Sequence, residues 1–105
     1  AIERQKFSYV YVLGNQSMPG MVKIGYTDKE PKKRALEISG ATGVPTSFKV
    51  LKEYTFATLV KAQKEEKRLH SIFVKHRVNA NREFFRLSVE QVDKEIRNNI
   101  YNNGI

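Results

Sequence analysis

The chain has 105 residues, 40% hydrophobic and 29% charged, a balance that fits one globular domain with a single modest core. It has no cysteine, which excludes a disulfide framework and a zinc–thiolate site and fits a reducing cytoplasm; it has no apolar run near the roughly 20 residues of a membrane span and no signal-peptide pattern. Nineteen basic residues against 11 acidic ones give +8, which points to a polyanion, above all nucleic acid, although a basic balance also serves solubility. Beginning at Ala1 rather than Met fits a processed start or a piece of a longer protein.

Phe7 to Leu13 is rich in β-branched and aromatic residues and reads as a strand. Phe7, Tyr9, Tyr11 and Leu13 share one face, Val10 and Val12 the other. Two apolar faces predict a central strand. The turn residues of Gly14 to Gly20 lead into a second strand, Met21 to Tyr26, so that the two make an antiparallel hairpin. Gly25 inside a strand marks either a bulge or the close approach of another backbone or a ligand.

Pro31 suits the first turn of a helix running to about Ser39, with Ala35 and Ile38 on its buried face, Arg34 at the border and Gly40 as its end. A loop follows from Gly40 to Ser47. Phe48 to Phe56 alternates imperfectly as a third strand. Asn79 to Arg82 is a polar turn and Glu83 to Leu87 a short extended segment. Ser88 with Gln91 forms a capping box, and Leu87 with Val92 a staple, for a last helix striped by Val89, Val92, Ile96 and Ile100; Asn98 to Ile105 is expected to fray. The fold expected is α+β, a small three-stranded antiparallel sheet flanked by helices, in one domain over 1–105.

Leu59 to Arg77 reads as one long helix. At about 100° per residue, Leu59, Ala62, Glu66, Leu69, His70 and Phe73 fall on one stripe, the one a helix buries. Lys61, Lys64, Glu65, Lys67, Arg68 and Lys75 lie mostly off it and read as solvated. A carboxylate at Glu66 needs compensation there. Two readings stand open: a structural ion pair with Arg34 or a lysine, or a metal ligand or acid/base in a cleft.

Several segments together carry a family resemblance. Tyr9-Val10-Tyr11 followed by Lys23-Ile24-Gly25 resembles the paired signature of the GIY-YIG nucleases. The loop Asn15 to Gly20, Val22 to Thr27, Arg34, Ala41-Thr42-Gly43-Val44-Pro45, Glu66-x-x-Leu69-His70, Arg77-Val78 and Arg82-Glu83-Phe84-Phe85 resemble the T5orf172 branch of that superfamily, over Ser8 to about Ile96. The resemblance implies a metal-dependent endonuclease cutting phosphodiester bonds, of DNA rather than RNA. It implies Tyr11, Lys23, Arg34 and His70 as catalytic groups and Glu66 as the ligand of one Mg²⁺ or Mn²⁺. Lys23 stands where many relatives have a second tyrosine. Tyr9, Lys32, Lys33 and Arg82 are the expected nucleic-acid contacts, and Glu83 is a further candidate.

The chemistry agrees with such roles. A single carboxylate with water and phosphate oxygens is a common way to hold Mg²⁺. A guanidinium can fork onto a phosphate. Tyr11, with Lys23 nearby to lower its pKa, would orient or deprotonate water. His70 would share in proton transfer or orient the site. Each also has a structural alternative: a core tyrosine, an edge lysine, an Arg34–Glu66 pair, a core histidine, a Glu83 that caps its loop. Two other functions remain: an inactive nucleic-acid-binding module on the same scaffold, and a protein-interaction domain. A homodimer or further domains in a longer chain would supply any sequence specificity.

Overall fold

The computed structural model describes residues 6–41, 47–78 and 83–103. The elements are β1 (Ser8–Asn15), β2 (Val22–Thr27), α1 (Pro31–Ala41), β3 (Phe48–Phe56), α2 (Leu59–Ile72), a 3-10 turn (Val74–His76), β4 (Phe84–Phe85) and α3 (Val89–Asn103). The strands form one antiparallel sheet in the order β3-β1-β2-β4. β1 is central, as its two apolar faces require: Val10 and Val12 join one core, Tyr11 and Leu13 the other. The first core, beneath α2 and α3, also takes in Ile24, Phe56, Leu69, Phe85 and Ile96; the second, beneath α1, takes in Ala35, Ile38 and Phe48.

The sheet has four strands rather than the expected three. Phe84 and Phe85 pair with Lys23 and Val22, and the Ile24 amide donates to the Glu83 carbonyl at 3.1 Å. Two residues are too few for an alternating pattern to announce a strand; the fully buried Phe85 is what draws the segment to the sheet. The imperfect alternation of β3 comes from a bulge. Leu13 pairs with Val50 and Val12 with Lys52, so Leu51 stands outside the register.

Leu59 to Arg77 is not one helix. α2 stops at Ile72, where the Phe73 amide closes on the Leu69 and Ser71 carbonyls, and the 3-10 turn follows. The chain then bends so that Arg77 bridges Phe85 and the Val78 amide reaches the Phe84 carbonyl. Pairing with β4 overrides the helical pattern here. Thr58 caps the start of α2, its hydroxyl accepting from the Lys61 amide at 3.2 Å.

α1 runs through Gly40 to Ala41 rather than ending at Gly40, and α3 persists to Asn103 instead of fraying from Asn98. The capping box at Ser88 forms in both directions, at 3.0 and 3.2 Å. Most of the loop from Gly40 to Ser47, and the turn Asn79 to Arg82, lie outside the described residues. Among the described residues no helix is long and apolar enough to cross a membrane.

Candidate active site

α2 buries two adjacent carboxylates, and their surroundings differ. Glu65, expected in solvent, is 3% exposed. Arg68 grips it with Nε at 2.6 Å and Nη2 at 2.8 Å, and Asn99 of α3 donates at 2.8 Å. Arg68 also reaches Glu95, and these carboxylates raise its pKa. Glu65 is therefore a compensated structural ion. α3 supplies part of that cage, which periodicity along α2 cannot reveal.

Glu66 is 6% exposed and lacks such a cage. Among the described residues the basic group within 4.0 Å of it is His70, whose Nε2 lies 3.9 Å from Oε1, outside hydrogen-bond range. No ion pair joins it to Arg34 or to a lysine among the described residues. Arg34 instead lies 3.6 Å from Glu37. Burial pushes the Glu66 carboxyl up from 4.5 to about 7; the charge of Glu83 adds to this, and Lys23, Lys67 and Arg77 oppose it. The structural pairing thus describes Glu65, and Glu66 keeps its deficit.

Tyr11 lies across the sheet from Gly25 in direct register. Its ring covers that glycine so closely that a Cβ there would stand 2.5 Å from the Tyr11 Cζ. The group that approaches Gly25 is thus the side chain of the paired tyrosine, not the backbone or ligand expected there. Tyr11, Arg34, Thr27, Lys29, Glu83 and Leu59 line an open cleft of about 360 Å³. Leu59, expected on the buried stripe, is instead 42% exposed and lines that cleft.

The Tyr11 hydroxyl does not have the lowered pKa expected from Lys23. Burial, then the Glu83 carboxylate, push it up to about 12, and Arg34 only partly offsets them. Lys23 is committed elsewhere: its Nζ bonds Glu83 Oε2 at 2.7 Å and lies 5.3 Å from the centre of the Phe84 ring. The partner comes from 60 residues away, so no local pattern names it. Glu83 is thus an integral member of the site. Its charge reaches Tyr11, Glu66 and His70 alike.

His70 has both ring nitrogens occupied. Nε2 lies 2.9 Å from the Ile24 carbonyl, and Arg77 Nη2 lies 2.9 Å from Nδ1. A carbonyl can only accept and a guanidinium can only donate, so the neighbours assign the neutral ring with its proton on Nε2. Burial holds its pKa below the usual value, with Arg77 and Lys23 acting the same way against the Ile24 carbonyl and Glu83. The ring also sits edge-on to Phe85, 4.9 Å between centres. Nothing in the spacing of Arg77 along the chain assigns it to this site; only the bend after α2 brings it back beside His70.

The remaining candidates are less central. Tyr9 is half-buried, two residues from Tyr11 on the same strand face. Lys32 and Lys33 are exposed on α1, beside Arg34. Arg82 lies outside the described residues. Among the described residues no group of three or more His, Asp or Glu side chains could enclose a metal. The donor set fits a hard divalent cation held by one carboxylate with water and substrate oxygens, because Glu66 is a buried carboxylate that forms no salt bridge to a lysine or arginine among the described residues.

No curated protein and no solved structure matches the chain. The model of the T5orf172 domain matches residues 8–100, nearly the whole chain, and on that match the chain belongs to the T5orf172 domain family.

Proposed function

We propose that this domain is a divalent-metal-dependent endonuclease that hydrolyses phosphodiester bonds, with DNA as its substrate, and that it belongs to the GIY-YIG superfamily. The observation that carries the reading is the uncompensated Glu66 carboxylate, electrostatically coupled to a cleft whose wall includes Tyr11 and Arg34. Glu65 serves the fold with a guanidinium of its own, whereas a binding module for a polyanion has no use for a second inward carboxylate that lacks one. The cysteine-free composition suits a cytoplasmic setting.

A divalent cation bound by Glu66 would supply positive charge at the non-bridging phosphate oxygens. Arg34, half-exposed at the cleft, forks onto the same phosphate and stabilises the charge that grows in the transition state. Tyr11 keeps its proton at neutral pH and acts as a fixed hydrogen-bond donor that orients water or phosphate, rather than as a base. Lys23 and Glu83 form a charge pair beside it, and Lys23 supplies the amine where relatives carry a phenol. With both nitrogens engaged, His70 orients the site instead of moving the proton. Tyr9, Lys32, Lys33 and Arg82 contact the flanking backbone.

Incubation with plasmid and single-stranded DNA in Mg²⁺, Mn²⁺ or EDTA tests this. Metal-dependent cleavage that Glu66→Ala abolishes, with its fold retained by circular dichroism, supports the reading. Salt-dependent DNA binding, with no cleavage of any DNA form in any metal, assigns the domain to an inactive binding module instead.

A further inference from the structure

α2 has a second face. Lys61, Lys64 and Lys67 are exposed, fall within about 120° of arc and span about 9 Å of helix, on the side away from Ala62, Glu66 and Leu69, with Glu65 at its border. Lys75 of the 3-10 turn is exposed just beyond them. None of these lysines takes part in a salt bridge among the described residues. The other helices carry surface ion pairs, although Lys32 and Lys33 of α1 also join none among the described residues. α1 sets Arg34 beside Glu37, which also holds Lys29, and α3 pairs Arg97 with Asp93.

The lack of anions is built into the helix. Between Ala57 and Val78 the only acidic residues are Glu65 and Glu66, and both point inward. Like charges one turn apart destabilise a helix, and a lysine in the first turn opposes the helix dipole. Lys61 occupies that first turn, which has no acidic residue. A solvated helix face ordinarily intersperses Glu with Lys; on this one the three lysines are unpaired among the described residues, and the cation between them that is paired, Arg68, is held by Glu65 and Glu95.

We propose that the outer face of α2, formed by Lys61, Lys64 and Lys67 with Lys75 beyond, is a phosphate-contact surface that holds nucleic-acid backbone flanking the cleft. It rests on the reading of this domain as a nucleic-acid protein. It adds a surface outside the cleft and reaches a longer stretch of substrate than the cleft alone. Evenly spaced ammonium groups fit a periodic array of phosphates and select no base. Leu59, at the start of the same helix, lines the cleft, so backbone leaving the cleft along α2 meets the stripe.

The test is binding of the whole protein to a labelled random-sequence duplex several helical turns long, in EDTA, as KCl rises from about 50 to about 200 mM. The triple variant Lys61→Gln/Lys64→Gln/Lys67→Gln keeps helix propensity and touches no core residue. The slope of log affinity against log salt is expected to flatten by about 0.9 for each phosphate no longer neutralised, about 2.7 for three. The charge-preserving Arg triple variant is expected to keep the parental slope. If the Gln triple variant fails to fold, the three single variants are expected to flatten the slope by about 0.9 each.

Parallel salt plots for parent and variant overturn the proposal. Loss of binding to phosphatidylserine vesicles with unchanged DNA binding also overturns it, and assigns the stripe to a membrane surface. Because the assay contains no free metal, it is independent of cleavage. A parent that cleaves DNA while the plots stay parallel retains the nuclease reading and loses this surface. A parent that never cleaves while the slope flattens does the reverse.

Discussion

Replacing Glu66 by glutamine separates a structural carboxylate from a functional one, and stability against pH reads the difference. The folded carboxyl titrates near 7 instead of 4.5, because burial disfavours its charge. Between those values the folded protein therefore binds the proton more tightly than the unfolded chain does. Folding stability must then fall as pH rises through that window, and it is least above about pH 7. The gap between 4.5 and about 7 corresponds to roughly 3 kcal/mol.

The amide of the Glu66→Gln variant has the shape of the protonated acid and does not ionise. At pH 4 parent and variant should have similar stability. By pH 8 the variant should be the more stable by about 3 kcal/mol, or about 12 °C in melting temperature for a domain of this size. Urea and thermal unfolding of both proteins in EDTA, from pH 4 to 8, measure this. The other titrating groups are common to both and largely cancel. Added Mg²⁺ should stabilise the parent alone and narrow the gap, because only a folded carboxylate can bind it. A parent more stable than the variant at pH 8, or a gap that ignores pH, would mean that a partner already neutralises Glu66. A carboxylate so neutralised has no need of a metal, and Glu66 would lose its place as the ligand.

Glu65→Gln should behave in the opposite sense, destabilising by about 2 kcal/mol at pH 7, less than for a fully buried pair because Arg68 is 30% exposed; an unchanged urea midpoint would refute the cage. Gly25→Ala should cost about 1–3 kcal/mol and displace the Tyr11 ring, read by urea unfolding and by the tyrosine's NMR shifts; unchanged values for both would mean that the ring does not pack on the glycine. Arg34→Lys should lower turnover on the order of 10²-fold with little change in DNA affinity, since an ammonium cannot fork onto a phosphate; near-parental turnover would remove Arg34 from the catalytic groups.

Much of this protein was legible one element at a time. Period-two alternation places Val10 and Val12 opposite Tyr11 and Leu13, and the sheet keeps them on opposite faces. Ser88 and Gln91 announce the start of α3, and Glu66 falls inward on α2 as its spacing requires. These features depend on how a side chain projects from its own backbone, which is local geometry.

Tertiary structure decided the rest, because a partner's identity depends on which distant segment arrives. Periodicity treated Glu65 as solvated, yet Arg68 with Asn99 of α3 makes it a buried structural ion. Lys23 was expected to act on Tyr11; β4 delivers Glu83 to it instead, and the tyrosine's pKa moves up rather than down. A helical pattern running to Arg77 yields at Phe73, since the segment that follows gains more by pairing with β4 than by extending α2, and that bend sets Arg77 against His70. In each case the sequence determines the direction in which a charge points, and only the folded chain determines what it meets: the energy of a charge depends on its neighbours' charges and on the water they exclude, and both come from residues far away in the sequence.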